Sequence, residues 1–286
     1  MNDLVTINEI MTSCGMPHWG IASFDNVKTA LLECNAKKRL PEGAQSIISA
    51  IFPYYTHHAA GEISRYAASA DYHIVALRRL NDACEKLRRA YEYNSFEPFC
   101  DSSPIPEVKT ACLAGLGVLG KNGLLITPDY GSFVFIGEIV TDLSLPPNNK
   151  PAGRCMSCGL CADACPSGCI ADNKVDCSRC VSHISQKKGE LTAEEQELLK
   201  KASTIWGCDI CQNVCPHNKN LKETYIDEFK TDFVDSLDAK EIEDAGFKKK
   251  YKGYAFMWRG KNVLKRNVSI LHSGKANNIT CTTLKE

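Results

Sequence analysis

The chain has 286 residues, of which 44% are hydrophobic and 24% are charged, and its 34 basic and 34 acidic side chains give a formal net charge of zero. No apolar stretch approaches the about 18 residues that a membrane-spanning helix needs. The start, MNDLVTINEIMTSCG, lacks the basic region and the long apolar run of a secretory signal. We therefore expect a cytoplasmic protein of one large domain or two modest ones, without a membrane span.

The first 150 residues are expected to fold as a mixed α and β domain. Residues 20–24 and 46–51 have the composition of strands, and the nearly continuous apolar run of the second suits a buried position. Between them, the residues around Ala30 suggest a short helix. Residues 71–91 predict an amphipathic helix with Asp71 near its N-terminus, where a carboxylate is favourable. The apolar face of this helix would carry Ile74, Leu77, Leu80, Cys84 and Leu87.

Polar and aromatic side chains near the start of this helix allow more than one interpretation. Asp71 and His73 match the first half of a D-x-H-x-x-G motif with which some corrinoid proteins supply an axial histidine, but position 76 is Ala. We therefore interpret His73 as a polar helix residue and not as a cobalt ligand. Four tyrosines nearby are expected in the core more than against a planar cofactor. They are Tyr54, Tyr55, Tyr66 and Tyr72.

Asp101 is the candidate acid of the first 150 residues. It follows Phe99 and Cys100 and precedes Ser102-Ser103-Pro104, so it lies in a turn with apolar residues on either side. Burial there would raise its pKa. A reductive step that expels oxygen needs a proton donor of this kind. On the residues alone, an aspartate that merely caps the turn is the simpler interpretation.

A glycine-rich stretch at residues 114–123 contains GLGVLG, which matches G-x-G-x-x-G. A dinucleotide fold would place a strand before this motif, whereas residues 110–114 look helical and the strand-like residues 124–126 come after it. We therefore disfavour a dinucleotide fold and expect the glycines to let the backbone approach something flat and large. A further strand is expected over residues 131–140, and residues 146–153 read as a linker.

Two cysteine runs follow the linker. Cys155-x2-Cys158-x2-Cys161-x3-Cys165-Pro166 has the bacterial ferredoxin spacing, in which three thiolates bind one [4Fe–4S] cluster and the fourth binds another. The second run, Cys208-x2-Cys211-x3-Cys215-Pro216, is one cysteine short, because Ile205 occupies the missing position. One cluster must therefore take a ligand from elsewhere, and Cys169, Cys177 and Cys180 lie between the runs.

We predict a crossed arrangement of two clusters. Zinc is less suitable because it usually takes two CxxC pairs, and disulfides would need an oxidising compartment. One cluster is assigned Cys155, Cys158, Cys161 and Cys215. The other is assigned Cys165, Cys180, Cys208 and Cys211. The remaining cysteines are expected to be mostly buried apolar residues, namely Cys14, Cys34, Cys84, Cys100, Cys112, Cys169, Cys177 and Cys281.

The C-terminal region is predicted to be helical, with its last helix over residues 262–271. A further helix is predicted over residues 191–203, where Thr192 and Glu195 form a capping signature. Charge is distributed unevenly: residues 220–246 hold nine acidic and three basic side chains, and residues 247–286 hold ten basic and one acidic. A basic tail with aromatic residues favours a phosphate backbone, although it could also be a solvated face that balances the acidic stretch.

These motifs together resemble the epoxyqueuosine reductases, which are cobalamin- and iron–sulfur-dependent enzymes of tRNA modification. The resemblance covers roughly residues 15 to 272. Besides both cysteine runs, it is carried by the segments ISRYA (63–67), DYH (71–73), CDSSP (100–104), AGLG (114–117) with Gly120-Lys121, GSF (131–133), GEI (137–139), TDL (141–143), CVS (180–182), WGCDICQNVCP (206–216), WRG (258–260) and LKRN (264–267).

The resemblance implies an α+β architecture in three parts. Residues 1–150 would form a cobalamin-binding catalytic domain, residues 151–220 a ferredoxin-like domain with two [4Fe–4S] clusters, and residues 221–286 a short helical basic tail. Asp101 would be the proton donor, and Cys180 the additional ligand of the second cluster. The corrin would be lined by Ser64, Tyr66, Asp71, Asp101, Gly117, Lys121, Leu125 and Ile136.

The implied reaction is the reductive removal of the epoxide oxygen of epoxyqueuosine in a tRNA anticodon loop, with electrons from a donor such as a flavodoxin or a ferredoxin. Family members similar to this chain continue into helical repeats that help to hold tRNA, and this sequence ends at Glu286. Two alternatives therefore stay open: a corrinoid iron–sulfur reductase of another small substrate, as in reductive dehalogenases, or an electron carrier of the ferredoxin type.

Overall fold

The computed structural model describes residues 3–148, 153–172 and 174–273. The strands are β1 (Trp19–Ser23), β2 (Ser46–Pro53), β3 (Phe96–Phe99), β4 (Val118–Leu119), β5 (Leu125–Ile126), β6 (Val134–Thr141), β7 (Ile170–Ala171) and β8 (Lys174–Val175). The N-terminal part is built on a four-stranded antiparallel sheet in the order β1-β2-β6-β3. Two further antiparallel pairs join β4 to β5 and β7 to β8. The α-helices are α1 (Asp3–Ser13), α2 (Tyr72–Ala90), α3 (Glu107–Leu113), α4 (Leu160–Asp163), α5 (Val181–Ser185), α6 (Ala193–Ala202), α7 (Ile210–Asn213), α8 (Ala239–Glu243), α9 (Phe247–Lys250) and α10 (Lys261–His272).

The central strands β2 and β6 confirm the prediction from their apolar runs. Every residue of β2 is buried, because β1 and β6 pair with its two edges and helices cover both faces. Its register places Ile48 opposite Ile139 and Ile51 opposite Ile136. These pairs alternate between the two faces, so the sheet contributes a layer of branched side chains to each of two cores.

One face of the sheet packs against α1 and α2. Asp71 caps α2 as predicted, since its side chain accepts a hydrogen bond from the backbone N–H of His73. The buried side of α2 carries Val75, Ala76, Leu80, Ala83, Cys84 and Leu87. The placement of Ile74 in this face was wrong: Ile74 is 58% exposed. With about 100° per residue, Ile74 lies opposite the buried stripe.

The other face of the sheet packs against α3 and an irregular segment. The short helix expected near Ala30 is absent from the described residues 24–40, which form 3₁₀ turns at Lys28–Ala30 and Asn35–Arg39 instead. Val27 is buried here while Leu31 and Leu40 are half-buried. The segment thus covers the sheet at separate points and presents no continuous helical face.

The cysteine-rich segment contains short helices and one longer helix, α6. Thr192 and Glu195 form the predicted capping box at its start, each side chain bonding the backbone N–H of the other residue. The chain then returns to the N-terminal sheet, where Ile226 and Phe229 enter the core beside α1 and α2.

A second core joins the C-terminal helices to the rest of the molecule. It contains Ile63, Ile205, Trp206 and Phe256, all fully buried. The buried Asn267 of α10 donates to the carbonyl oxygens of Ser185 and Ile205 at 2.7 and 2.8 Å. These contacts hold α10 in place, and α10 itself matches the predicted last helix. The three-part division at residues 150 and 220 stays a prediction, and residues 274–286 of the basic tail lie outside the described residues. No helix in the described part of the chain is long and apolar enough to cross a membrane.

Candidate active site and cluster-binding cysteines

Asp101 lies in a constrained turn that follows β3. Its backbone is left-handed, with φ of 59°, which is uncommon for a non-glycine residue and has to be held by its surroundings. The backbone N–H of Asp101 donates to Oε1 of Glu107 at 2.7 Å, and its carbonyl oxygen accepts from the N–H of Ser103 at 2.5 Å. The turn therefore fixes the backbone while the carboxylate, 58% exposed, reaches solvent.

His73 connects two carboxylates at this site. Its Nδ1 lies 2.7 Å from Oδ1 of Asp71, and its Nε2 lies 3.1 Å from Oδ2 of Asp101. Burial alone would lower the pKa of His73, but the hydrogen bonds to Asp101 and Asp71 outweigh it and raise the pKa to about 9. The same hydrogen bond from His73 lowers the pKa of Asp101 despite partial burial. The substrate-free site is thus an imidazolium between two carboxylates.

The interpretation of His73 as a polar helix residue was therefore incomplete. The D-x-H spacing was a usable signal, because an aspartate that caps a helix holds the residue two positions later. The turn interpretation of Asp101 was incomplete in the same way, since its side chain binds His73, which is 28 residues distant in sequence.

Two further carboxyl groups lie beneath the Asp101 turn. Glu138, in the middle of β6, is fully buried, and neither of its carboxylate oxygens has a hydrogen-bond partner within the described residues. Burial raises its pKa well above the usual value, and Glu107 acts in the same direction. Burial, together with the charge of Asp101, raises the pKa of Glu107 to about 8. Glu107 belongs to α3 and Glu138 to β6, and the two approach each other only in the folded chain. No local pattern in the sequence therefore indicates this pair.

The tyrosines near the site pack as core residues, as expected. Tyr72 stacks on Phe135 with ring centroids 4.1 Å apart, and Tyr54 lies 4.4 Å from the same ring. Tyr66 accepts a hydrogen bond from Gln186 at 3.1 Å. Burial raises the pKa of Tyr66, and the carboxylates of Asp209 and Asp101 raise it further. Tyr66 is therefore near Asp101 on one side and near Asp209 of the second cysteine run on the other.

Ser64 joins the N-terminal part to that second run. Its hydroxyl donates to Oδ1 of Asp209 at 2.7 Å, and the N–H of Arg65 donates to Oδ2 at 2.8 Å. Gly207 has φ of 74°, and a Cβ there would overlap the side chains of Ser64 and Tyr66. A glycine is therefore required for this close approach beside Cys208.

The predicted glycine-loop residues lie in and beside the β4–β5 hairpin. A Cβ at Gly117 would overlap the carbonyl oxygen of Ile126, so a glycine is required there for the close approach of the β5 backbone. Leu125 and Ile136 are 3% and 8% exposed and share one core cluster. Lys121 lines a cavity together with cysteines.

That cavity identifies the first group of thiols, which we name the outer set: Cys155, Cys158, Cys161 and Cys215. All four line a small cavity of about 20 Å³, together with Lys121, Asn122 and Met156. Cys158 is exposed and the other three are half-buried. Cys215 of the second run thus lies beside the first run, and the crossed ligation itself stays a prediction.

The second group, the inner set, consists of Cys165, Cys180, Cys208 and Cys211. Burial raises the pKa of Cys208 to about 11, and Asp209, Cys180 and Cys165 raise it further. Burial likewise raises the pKa of Cys211, with contributions from Cys208 and Cys180. These effects connect Cys180 and the last cysteine of the first run with the second run.

The two other candidates for the additional ligand behave differently. Cys177 is exposed, and its thiol contacts the carbonyl oxygen of Val175 at 3.9 Å. Cys169 is buried, with its sulfur 3.4 Å from that of Cys165. In the described residues no three Cys, His, Asp or Glu side chains are close enough to hold a single metal ion.

Of the remaining cysteines, Cys14, Cys84, Cys100 and Cys169 are buried as expected, and Cys112 is half-buried. Cys34 and Cys177 are exposed, contrary to the general expectation, because both lie in irregular surface segments. Cys281 lies outside the described residues.

Two family models match the chain. "Epoxyqueuosine reductase QueG, DUF1730" matches residues 35–102, and "4Fe-4S double cluster binding domain" matches residues 154–218. The first match includes Asp71, His73 and Asp101, and the second includes all eight cysteines of the inner and outer sets.

Curated relatives agree with these matches. An epoxyqueuosine reductase of Leadbetterella byssophila is 33% identical over 82% of this chain and 79% of its own length. One of Lactococcus garvieae is 34% identical over 79% of this chain, and the aligned region spans 65% of that relative.

Solved structures of the same family share the fold. An epoxyqueuosine reductase from Streptococcus thermophilus superposes with a TM-score of 0.81 at 27% identity, over 96% of this chain and 81% of its own. A Bacillus subtilis structure, described as having its catalytic loop swung out of the active site, gives 0.82 at 25% identity over 95% and 82%. An epoxyqueuosine reductase solved with an epoxyqueuosine-modified tRNA-Tyr stem loop gives 0.81 at 26% over 93% and 80%. This chain belongs to the epoxyqueuosine reductase family.

Proposed function

We propose that the protein reduces epoxyqueuosine to queuosine in tRNA. Two electrons and two protons remove the epoxide oxygen as water and leave a carbon–carbon double bond. The observation that carries this proposal is the Asp71–His73–Asp101 chain, which presents a half-exposed carboxylate backed by a protonated imidazole. A departing epoxide oxygen requires such an acid.

The side chains of this site work together as a proton source. In the resting state the proton lies on Nε2 of His73, 3.1 Å from Oδ2 of Asp101. As negative charge develops on the substrate oxygen, the Nε2 proton of His73 passes to the ionised Asp101 and from Asp101 to that oxygen, and solvent water supplies the second proton. Asp71 stabilises the imidazolium and keeps the ring oriented through Nδ1.

The surroundings of Asp101 fit a bound cobalamin. A corrin needs an apolar surface for its ring and N–H donors for its peripheral amides, and near Asp71 the side chains of Ile74 and Trp258 are 58% and 59% exposed. The buried Nε of Arg259, which lines the cavity beside Asp71, has no hydrogen-bond partner in the described residues. We propose Ser64, Tyr66, Asp71, Asp101, Gly117 and Lys121 as contacts, with the buried Leu125 and Ile136 as support beneath them. Cobalamin, when bound, supplies the low-potential reducing chemistry that the deoxygenation needs.

We propose the inner and outer sets as the ligands of the two [4Fe–4S] clusters. The exposed Cys158 and the neighbouring Met156, 60% exposed, mark the outer set as the entry point for electrons. The inner set is adjacent to Ser64 and Tyr66 through Asp209, so electrons leaving it are close to Asp101. A cytoplasmic one-electron carrier such as a flavodoxin or a ferredoxin is the proposed donor.

We propose that the tail contributes to tRNA binding at a surface cavity beside Asp71. This cavity, of about 450 Å³, is lined by Lys248, Lys252 and Arg259, and by the aromatic residues Tyr254 and Trp258. Cationic and aromatic side chains are the groups that bind phosphates and unstacked bases. Other tail cations are engaged internally, since Lys250 pairs with Glu241 and Lys265 pairs with Glu243.

The test is anaerobic conversion by the full chain. Protein reconstituted with iron, sulfide and cobalamin would be given a strong reductant and an anticodon stem loop that carries epoxyqueuosine, and nucleosides from a digest would be measured by mass spectrometry. We expect loss of one oxygen atom per modified nucleoside. Retention of the epoxide by protein with bound cobalamin and two reducible clusters would refute the proposal and indicate another small substrate.

Two variants make this experiment specific. Asp101→Asn removes the acid while keeping a side chain of the same size, so we expect both clusters and cobalamin to be retained and conversion to fall by about 100-fold or more. Lys248→Ala with Lys252→Ala should weaken binding of the stem loop, and weaken it less as salt concentration rises. The exposed pair Lys28→Ala and Lys37→Ala is the matched control.

A further inference from the structure

One buried thiol of the cysteine-rich segment belongs to neither proposed set of ligands. Cys169 is 4% exposed, and its Sγ lies 3.4 Å from the Sγ of Cys165, which is within hydrogen-bonding distance for two sulfur atoms. A buried cysteine ordinarily serves as a small apolar side chain. Contact with a ligand of the inner set gives this one a different role.

The turn that holds both sulfurs is braced from outside. The N–H of Gly168 donates to the carbonyl oxygen of Cys165 at 3.1 Å, and Gly168 has φ of 60°. The N–H of Asp176 donates to the carbonyl oxygen of Cys169 at 2.9 Å, and the Arg179 guanidinium donates to that of Ser167 at 2.7 Å. These bonds fix the backbone at Ser167 and Cys169, so the distances from their side chains to Cys165 are set by the fold.

Cys165 therefore has two side-chain donors within reach. The hydroxyl oxygen of Ser167 lies 3.5 Å from its sulfur, in addition to the thiol of Cys169. As a cluster ligand, Cys165 is a thiolate and can only accept. The S–H of Cys169 is consequently the donor in the contact between the two sulfurs.

Hydrogen bonds to the sulfur atoms of a cluster change its reduction potential. The reduced cluster carries one more negative charge than the oxidised cluster. A donor aimed at a ligating sulfur stabilises the reduced form more strongly, and the potential rises.

We propose that Cys169 is a positioning residue of the inner cluster, donating its S–H to the Cys165 thiolate and raising the reduction potential of that cluster. The assignment rests on the ligand sets of the proposed function and not on its substrate.

The test is a redox titration of the reconstituted full chain, without cobalamin or tRNA. Each cluster would be followed by electron paramagnetic resonance under anaerobic conditions, in wild type and in Cys169→Ala. We expect unchanged iron content, one couple shifted to more negative potential, and the other couple unmoved. Cys169→Ser should recover part of the shift, because its hydroxyl is also a donor. Cys177→Ala, at the exposed cysteine, is the matched control and should leave both couples unchanged.

Two outcomes would overturn the inference. Loss of about half of the iron in Cys169→Ala would make Cys169 a ligand. Equal potentials in wild type and variant would remove the tuning role. If Cys169→Ala does not fold, Ser167→Ala removes the other donor to the same sulfur and should shift the same couple in the same direction. The titration does not measure substrate conversion. An unshifted potential would therefore overturn the role of Cys169 without affecting the reductase proposal, and a failure to convert epoxyqueuosine would not affect the role of Cys169.

Discussion

His73 determines where the active-site proton rests before substrate arrives. The pKa of this imidazole is raised to about 9 by its hydrogen bonds to Asp101 and Asp71, while the same contact lowers the pKa of Asp101. At neutral pH the imidazole therefore holds the proton and the exposed carboxylate is ionised. Asp101 acts as an acid only because its neighbour supplies it.

Replacing this imidazole should change the pH dependence of the reaction. Wild-type conversion should hold until the pH approaches about 9, where His73 loses its proton. In His73→Gln the proton must come from Asp101 alone, which as an ordinary carboxyl group is already ionised at neutral pH. The rate should therefore already decline at acidic pH and be reduced by about 10-fold or more at pH 7.5. Rates measured across this range, with His57→Gln as an exposed control, check the prediction. Superimposable profiles would exclude His73 from proton supply.

The same group should contribute to stability in a defined pH window. The folded-state pKa of His73 lies above its usual value of 6.5, so its contribution is fully present below pH 6.5 and is lost as the pH rises through about 9. The difference in melting temperature between wild type and His73→Gln should therefore shrink at alkaline pH.

Glu138 should make the fold less stable as the pH rises. A carboxyl group whose folded pKa lies above 4.5 holds its proton more tightly in the folded than in the unfolded chain, and stability falls above pH 4.5 by up to about 1.4 kcal/mol per pH unit. Glu138→Gln removes this titration and should be more stable than wild type at pH 8, with a smaller difference at pH 5. Thermal melting of cluster-loaded protein at both pH values measures it. Equal slopes for wild type and variant would contradict it, and Glu85→Gln on the exposed side of α2 is the control.

Single residues were predictable where the signal was local. The turn around Asp101 and the cap at Asp71 are readable because each depends on its immediate neighbours. The role of His73 and the Glu107–Glu138 pair depend on tertiary contacts between α2, α3 and β6, which leave no periodic trace in the sequence.

Among the elements, helices and strands with a regular apolar pattern were predicted, whereas an edge strand and a helix with few buried residues were missed. The helix α2 and the strand β2 have strong periodicity and were found. The strand β3 was missed because Pro98 interrupts it, which is tolerated only because β3 lies at the edge of the sheet. The helix α1 was missed because only Ile7 and Met11 of its residues are buried, so it has a narrow apolar stripe.

Asn267 contributes two of the hydrogen bonds that hold α10 in place, beside those from Arg266 to the carbonyl oxygens of Lys187 and Gly189. Asn267→Ala would leave the buried carbonyl oxygens of Ser185 and Ile205 without their donors, at a cost of about 1–3 kcal/mol or more in the free energy of unfolding. Ser185 lies only five positions after Cys180, and Ile205 lies three positions before Cys208. We therefore also expect faster loss of iron from the inner cluster to a chelator. Lys265→Ala on the exposed side of α10 should cost less than about 0.5 kcal/mol. Equal chelation rates for the two variants would refute the link.

For the molecule as a whole, the cysteine spacing predicted the sharing of ligands between the two runs. Spacing alone left three candidates for the additional ligand, and their surroundings differ: Cys180 is half-buried, Cys177 faces solvent, and the sulfur of Cys169 contacts that of Cys165. These differences follow from the course of the chain between the runs, which no local pattern encodes, and the assignment of Cys180 stays a prediction.

The assignment of Cys180 can be checked by metal analysis. Cys180→Ala should lose about half of the iron and the spectroscopic signal of one cluster, because one of its four ligands is missing. Cys177→Ala should keep the full iron content. Full iron content in Cys180→Ala would move the ligand to Cys169.

The stretch that carries the clusters leaves the sheet at the end of β6 and returns to it at Thr224. The N–H of Thr224 donates to the carbonyl oxygen of Tyr55 at 2.8 Å, its hydroxyl donates to that of Pro53 at 2.5 Å, and Ile226 and Phe229 enter the sheet's own core. A stretch tied at both ends cannot swing as a domain on a single tether does. The distance that electrons travel inside the protein is therefore fixed by the fold. The rate of internal electron transfer should not depend on solvent viscosity, whereas the encounter with the external donor should become slower as viscosity rises.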